Sequence, residues 1–139
     1  MRAHATFTVS DWTPAEAPAG VGEHALVETA APIGLAHMVK TFEGELSGHA
    51  TTWFLGALNH EAGSGTYVAM EAFDGTLAGR RGTFALAHGA STHGEDRFDE
   101  YFAIVPGSGT GELAGITGGG SLSIDADGTH RVVMEYDVT

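Results

Sequence analysis

The stretch Glu71-Ala72-Phe73-Asp74-Gly75-Thr76-Leu77-Ala78-Gly79-Arg80-Arg81-Gly82-Thr83-Phe84-Ala85-Leu86-Ala87-His88 reads as a β-hairpin. Apolar residues alternate with small or polar ones on both sides of a glycine, and a glycine in the first central position marks a two-residue type II′ turn. With the turn on Gly79-Arg80, paired residues keep a constant index sum of 159. Phe73 then faces Leu86, Gly75 faces Phe84, and Glu71 faces His88. The apolar set Phe73, Phe84 and Leu86 marks that side as the buried one. Glu71 and His88 are therefore predicted opposite each other on core-facing positions, with Tyr67 two pairs further out.

The pattern recurs along the chain. Gly44-Glu45-Leu46-Ser47-Gly48, Gly75-Thr76-Leu77-Ala78-Gly79 and Gly111-Glu112-Leu113-Ala114-Gly115 share glycine-x-leucine-small-glycine, and Phe42-Glu43 and Phe73-Asp74 precede the first two alike. Turns are expected at Gly48-His49, Gly79-Arg80 and Gly115-Ile116. The first, with an index sum of 97, pairs Phe42 with Leu55 and Lys40 with Ala57, which adds Lys40 to the core side and sets His37 opposite His60 on the outer side. Period-2 alternation continues in Ala5, Phe7 and Val9, in Phe98, Phe102 and Ile104 (a face that Glu100 shares), and in Val132, Met134, Tyr136 and Val138. Trp12 to Gly22, with Pro14, Pro18 and Gly20, is expected to be a connecting loop. Further breaks at 31–34 and 62–65 are too short to separate domains. Three hairpins and two terminal strands make about eight strands, a number that closes readily and removes exposed edges. The expected fold is all-β, one antiparallel barrel over residues 1–139, with an open sandwich as the alternative.

Composition narrows the function. The 139 residues include no cysteine, which excludes disulfides, thiolate metal sites and cysteine nucleophiles. Six Lys/Arg against eighteen Asp/Glu give a net charge of −12, with no basic stripe to meet nucleic acid or an anionic membrane. No apolar run approaches a membrane span, and the opening Met1-Arg2-Ala3-His4-Ala5-Thr6-Phe7 alternates instead of forming a signal peptide's apolar stretch, so a soluble cytoplasmic protein is expected. Eight histidines show no zinc spacing, and no metal site is expected. The glycine-rich run 106–120 has Glu112 where a dinucleotide fingerprint needs glycine, and no Gly-Lys-Ser/Thr follows. No serine nucleophile elbow is present either, and no cofactor is expected.

Val39-Lys40-Thr41-Phe42-Glu43-Gly44, Glu71 ahead of Gly75 to Arg80, Gly82-Thr83-Phe84 running to His88, and Val105-Pro106-Gly107-Ser108-Gly109-Thr110 leading into Gly111 to Gly115 cover most of the chain from Val39 onward. On these stretches the sequence resembles the bacterial domain-of-unknown-function 3224 family. The resemblance implies a short, wide antiparallel barrel with an apolar interior, like that of allene oxide cyclases, with dirigent proteins and several natural-product cyclases as related barrels. It implies no particular reaction. Two stretches depart from the family pattern, a longer Gly20 to Ile33 and a more charged His93 to Arg97, and both bear on the barrel mouth.

Charges on a core face are costly unless paired, so Glu71, His88, Lys40 and Glu100 form either a satisfied ion-pair network or a site tuned for proton transfer. Two functions follow. In one, an apolar, oxygen-bearing small molecule binds in the barrel and is isomerised or cyclised, with Glu71 and His88 as acid/base pair and Lys40 polarising an oxygen. Tyr67, Tyr101, Trp53 and Phe102 are the candidate lining. In the other, the protein is a non-catalytic binder, or a homo-oligomer joined through its barrel surface. A continuous apolar cavity reaching Glu71 and His88 favours the first; an interior filled by side chains favours the second.

Overall fold

The computed structural model describes all 139 residues. Its strands are β1 (Arg2–Ala15), β2 (Gly20–Val21), β3 (His24–Ala25), β4 (Ile33–Gly44), β5 (Leu46–Asn59), β6 (Ser64–Leu77), β7 (Arg80–His93), β8 (Asp96–Ile104), β9 (Ile116–Ile124) and β10 (His130–Val138), with one 3-10 turn at Gly111–Leu113. The eight long strands form a closed antiparallel barrel in the order β1-β10-β9-β8-β7-β6-β5-β4, while β2 and β3 make a small separate hairpin. No helix is long and apolar enough to cross a membrane.

The deciding hairpin turns one residue earlier than the sequence suggests. Leu77 pairs with Arg80 around Ala78-Gly79, whose φ angles of +49° and +84° are those of a type I′ turn. Phe73 therefore pairs with Phe84, and Glu71 with Leu86. The offset is even, so every side chain stays on its predicted face. The turn expected at Gly48-His49 instead centres on Glu45, giving Phe42↔Gly48 and Lys40↔Ala50. That offset is odd, and it exchanges the two faces of β5: Thr52 and Phe54 point inward, Trp53 and Leu55 outward. His37 lies opposite Trp53, not His60. The third expected turn is no hairpin; Gly115 leads into β9, and the β9–β10 connection lies at Asp125–Thr129.

Two further expectations are corrected. The segment after Trp12 continues β1 as far as Ala15, across an irregularity at Asp11, where φ is +57°. Pro14 is tolerated because β1 loses its β10 neighbour beyond Phe7, leaving that flank unpaired. In β8, Asp99 at φ +52° and a register slip opposite Gly89–Ser91 turn Phe98 outward while Glu100 stays at the mouth, so the two do not share a face.

The three repeats share one purpose that their sequence hides. Leu46 and Leu77 pair across β5 and β6, Leu113 comes from the 3-10 turn against the start of β7, and all three are 1% exposed or less. Together they plug one end of the barrel. Above them runs a belt of rings, Phe7–Phe42–Phe73–Phe84, with successive centroids 5.4, 5.8 and 5.1 Å apart. Each fully buried Phe or Leu contributes about 2 kcal/mol of transfer free energy, so this end carries the stability. The other end is open.

Candidate functional site

Alternation on three strands brings the charged residues together where the ring belt ends. Lys40 of β4, Glu71 of β6 and His88 of β7 are buried, as is Thr52 of β5. Glu71 Oε1 accepts hydrogen bonds from Thr52 Oγ1 at 2.8 Å and from Lys40 Nζ at 3.0 Å, and Oε2 lies 2.8 Å from His88 Nε2. Lys40 Nζ also sits 4.9 Å from the centre of the Phe7 ring. Sequence reasoning thus placed Glu71, His88 and Lys40 on one buried face, and they touch. Their contact is diagonal, not the direct opposition expected. Thr52 was missed, because the wrong turn had turned it outward.

The cluster forms the floor of a cavity of about 510 Å³ that opens at the barrel mouth. Lys40, Thr52 and His88 line it, whereas Glu71 lies behind them and does not. Its walls are mostly apolar, including Phe7, Trp12, Met38, Phe54, Ala69 and Leu122. Tyr67 is a wall residue, as expected; it stacks on Phe54 at 5.2 Å, and its hydroxyl accepts from Arg97 Nη2 at 2.7 Å. Arg97 also pairs with Glu100 Oε1 at 3.1 Å, so the mouth carries a second, partly exposed ion pair. Phe102 lies flat against His88, with centroids 6.0 Å apart. It lies behind His88 and does not line this cavity, and neither do Trp53 and Tyr101. Each is 60% exposed on the outer face of the barrel, Trp53 through the odd offset of β5 and Tyr101 because it pairs with the outward-facing Gly89.

Hydrogen-bond logic at His88 is restrictive. Nε2 lies 3.1 Å from Lys40 Nζ as well as 2.8 Å from Glu71. It can carry a proton and donate to the carboxylate, or present its lone pair to the ammonium, but not both in one neutral tautomer. Nδ1 is the one buried side-chain polar atom in the protein without a partner. The tautomer that serves Glu71 leaves Nδ1 with a free lone pair.

Burial pushes the Glu71 carboxyl up, but the His88 hydrogen bond and the charge of Lys40 outweigh it, so the net displacement is downward from the ordinary 4.5. A depressed carboxyl contributes stability that is present above its unfolded value and lost as pH falls through its folded one. The thermal midpoint is therefore expected to drop below pH 4.5, and to drop less steeply in a Lys40→Met/Glu71→Leu double variant. Asp74, held down by a hydrogen bond from Arg81, and Asp127, held down by the backbone of Thr129, add slopes of the same sign and remain in that variant. Equal slopes in the two proteins would show that Glu71 is not depressed.

Comparison with known proteins agrees with the fold. A protein with unknown function from the DUF3224 family of Shewanella oneidensis MR-1, solved as a crystal structure, superposes with a TM-score of 0.79 at 32% identity, covering 100% of this chain and 98% of that one. No curated protein matches the sequence. The family described as protein of unknown function (DUF3224) matches residues 3–136, and the chain belongs to that family.

Proposed function

We propose that the barrel binds a neutral, mostly apolar small molecule bearing a carbonyl or similar oxygen, and that it isomerises or cyclises that molecule by proton transfer. The observation that carries this reading is the placement of a buried Lys–Glu–His cluster at the floor of an open apolar cavity, with His88 Nδ1 unsatisfied. Lys40 and Glu71 cancel in charge, so the floor favours a neutral ligand over an anion. Glu71, which does not line the cavity, positions His88 and Lys40. With a shift of the His88 ring that brings the enclosed Nδ1 against the ligand, Nδ1 takes a proton from a carbon next to the carbonyl, the electron pair moves onto the oxygen, and the Lys40 ammonium stabilises that charge. The imidazolium then returns the proton at another atom.

A binder without catalysis is the second reading. It draws on the saturation of Glu71, whose two oxygens already accept from Thr52, Lys40 and His88.

A panel of apolar ketones and enones, screened by thermal shift and then by proton NMR in D₂O, tests both. Ligands are expected to raise the midpoint of the wild type. That rise should vanish in Ala69→Trp, which fills the cavity. Deuterium uptake next to the carbonyl, lost in His88→Asn, is the catalytic outcome. A midpoint rise without uptake leaves binding alone, and no rise with any member overturns the site.

A further inference from the structure

The outer surface of the barrel carries an unusual gap in its charge. The outward positions of the central rows run Val39-Thr51-Ala72-Ala85, His37-Trp53-Met70-Ala87-Ala103, Leu35-Leu55-Val68-Gly89-Tyr101 and Ile33-Ala57-Thr66-Ser91-Phe98, read across β4 to β8. None is Asp, Glu, Lys or Arg, in a chain with eighteen acidic residues. Half of the protein's fourteen exposed large hydrophobic residues lie here, with Ile33 at 71%, Trp53 at 60%, Met70 at 54%, Val68 at 53% and Leu55 at 42% exposure among them. The five named residues lie on the adjoining strands β4 to β6 and expose roughly 500 Å² of mostly apolar surface between them, at the upper end of the ~300–600 Å² of the largest patch on a typical monomer.

We infer that this face is covered by a second copy of the same chain, in a twofold contact centred on Trp53 and Met70. The charge pattern selects that occupant. In a twofold contact a residue near the axis meets its own copy, so any charge there would face the same charge. A face free of charge is what such a contact requires, and it also lets two molecules of net charge −12 approach. A partner recognised by electrostatic steering would need charges that this face lacks. The inference is independent of the cavity, because Trp53, Leu55, Val68 and Met70 all point away from it.

Sedimentation equilibrium and light scattering are expected to show a dimer that dissociates on dilution. Trp53→Glu and Met70→Glu, both at exposed positions, should each give a monomer with a wild-type circular dichroism spectrum. Since the chain has no cysteine, Met70→Cys, at the centre of the contact, gives a clean second measurement that needs no charge insertion, and oxidation should link two chains through that position. A wild type that stays monomeric into the millimolar range overturns the inference. So does a dimer that survives both glutamate variants and does not cross-link.

Discussion

Glu71→Gln is expected to destabilise the barrel by about 3–5 kcal/mol, the usual cost of removing one partner from a buried ion pair. The amide keeps the size of the carboxylate but withdraws its charge, leaving Lys40, with a side chain 7% exposed, as an ammonium with no counter-ion. The amide nitrogen would also be a donor among three groups that now donate to Glu71, namely Thr52, Lys40 and His88. Removing both charges together should be far milder, because Lys40→Met/Glu71→Leu leaves neither ion stranded and fills the space with apolar atoms. Urea unfolding with an unchanged slope measures both variants. A loss under about 1 kcal/mol for Glu71→Gln would mean that water screens the cluster. The low-dielectric floor on which the proposed proton transfer depends would then be gone.

How much of this site the sequence reveals depends on the parity of an error. Glu71 and His88 were legible as a buried pair because the misplaced turn, Gly79-Arg80 for Ala78-Gly79, shifts the register by an even step. Faces survive such a step. Lys40 was legible because β4 alternates strongly from Ala36 to Phe42 whatever its partner is. The lining of β5 was not legible. In the first repeat the motif begins at the turn, and in the second it ends in it, so one sequence pattern stands in two structural settings. Gly48 looks like a turn glycine but lies within a strand, and taking it as the turn exchanged Trp53 and Leu55 for Thr52 and Phe54. Arg97 escaped for another reason. It reaches the mouth only because the positive φ of Asp99 sets residues 97 and 100 on the same side, and period-2 reading has no place for such a kink. Tyr101 owes nothing to that kink: it alternates with the inward-facing Glu100 and Phe102 and pairs with Gly89, so period 2 itself sets it outside. Even so, alternation and glycine spacing point to about eight antiparallel strands, and it is the pairing of β1 with both β4 and β10 that makes them a closed barrel and not an open sandwich.

Gly75→Val is expected to abolish cooperative folding, whereas Gly79→Val should cost only about 1–3 kcal/mol and leave a folded barrel. The two glycines occupy the same motif but serve different needs. Gly79 has φ +84° and nothing within 4 Å of where a Cβ would stand, so valine there meets only backbone strain at an exposed turn. At Gly75 a Cβ would lie 2.1 Å from the Ser47 carbonyl oxygen, 2.8 Å from Phe73 Cζ and 2.9 Å from Gly48 Cα. Its partner is no more accommodating, since a Cβ on Gly48 would lie 2.2 Å from the Asp74 carbonyl oxygen. Two of these obstacles are backbone in the paired strand, and the third is a ring of the belt. Neither strand can give way without opening the Leu46–Leu77 end that lies beside them. The plug, the belt and the floor of the cavity are stacked in that order, so an overpacked Gly75 disturbs all three. Near-ultraviolet circular dichroism and a urea titration of both variants measure the difference. Equal losses at the two positions would show that glycine is needed in this repeat for its φ angles and not for the close approach of β5 and β6.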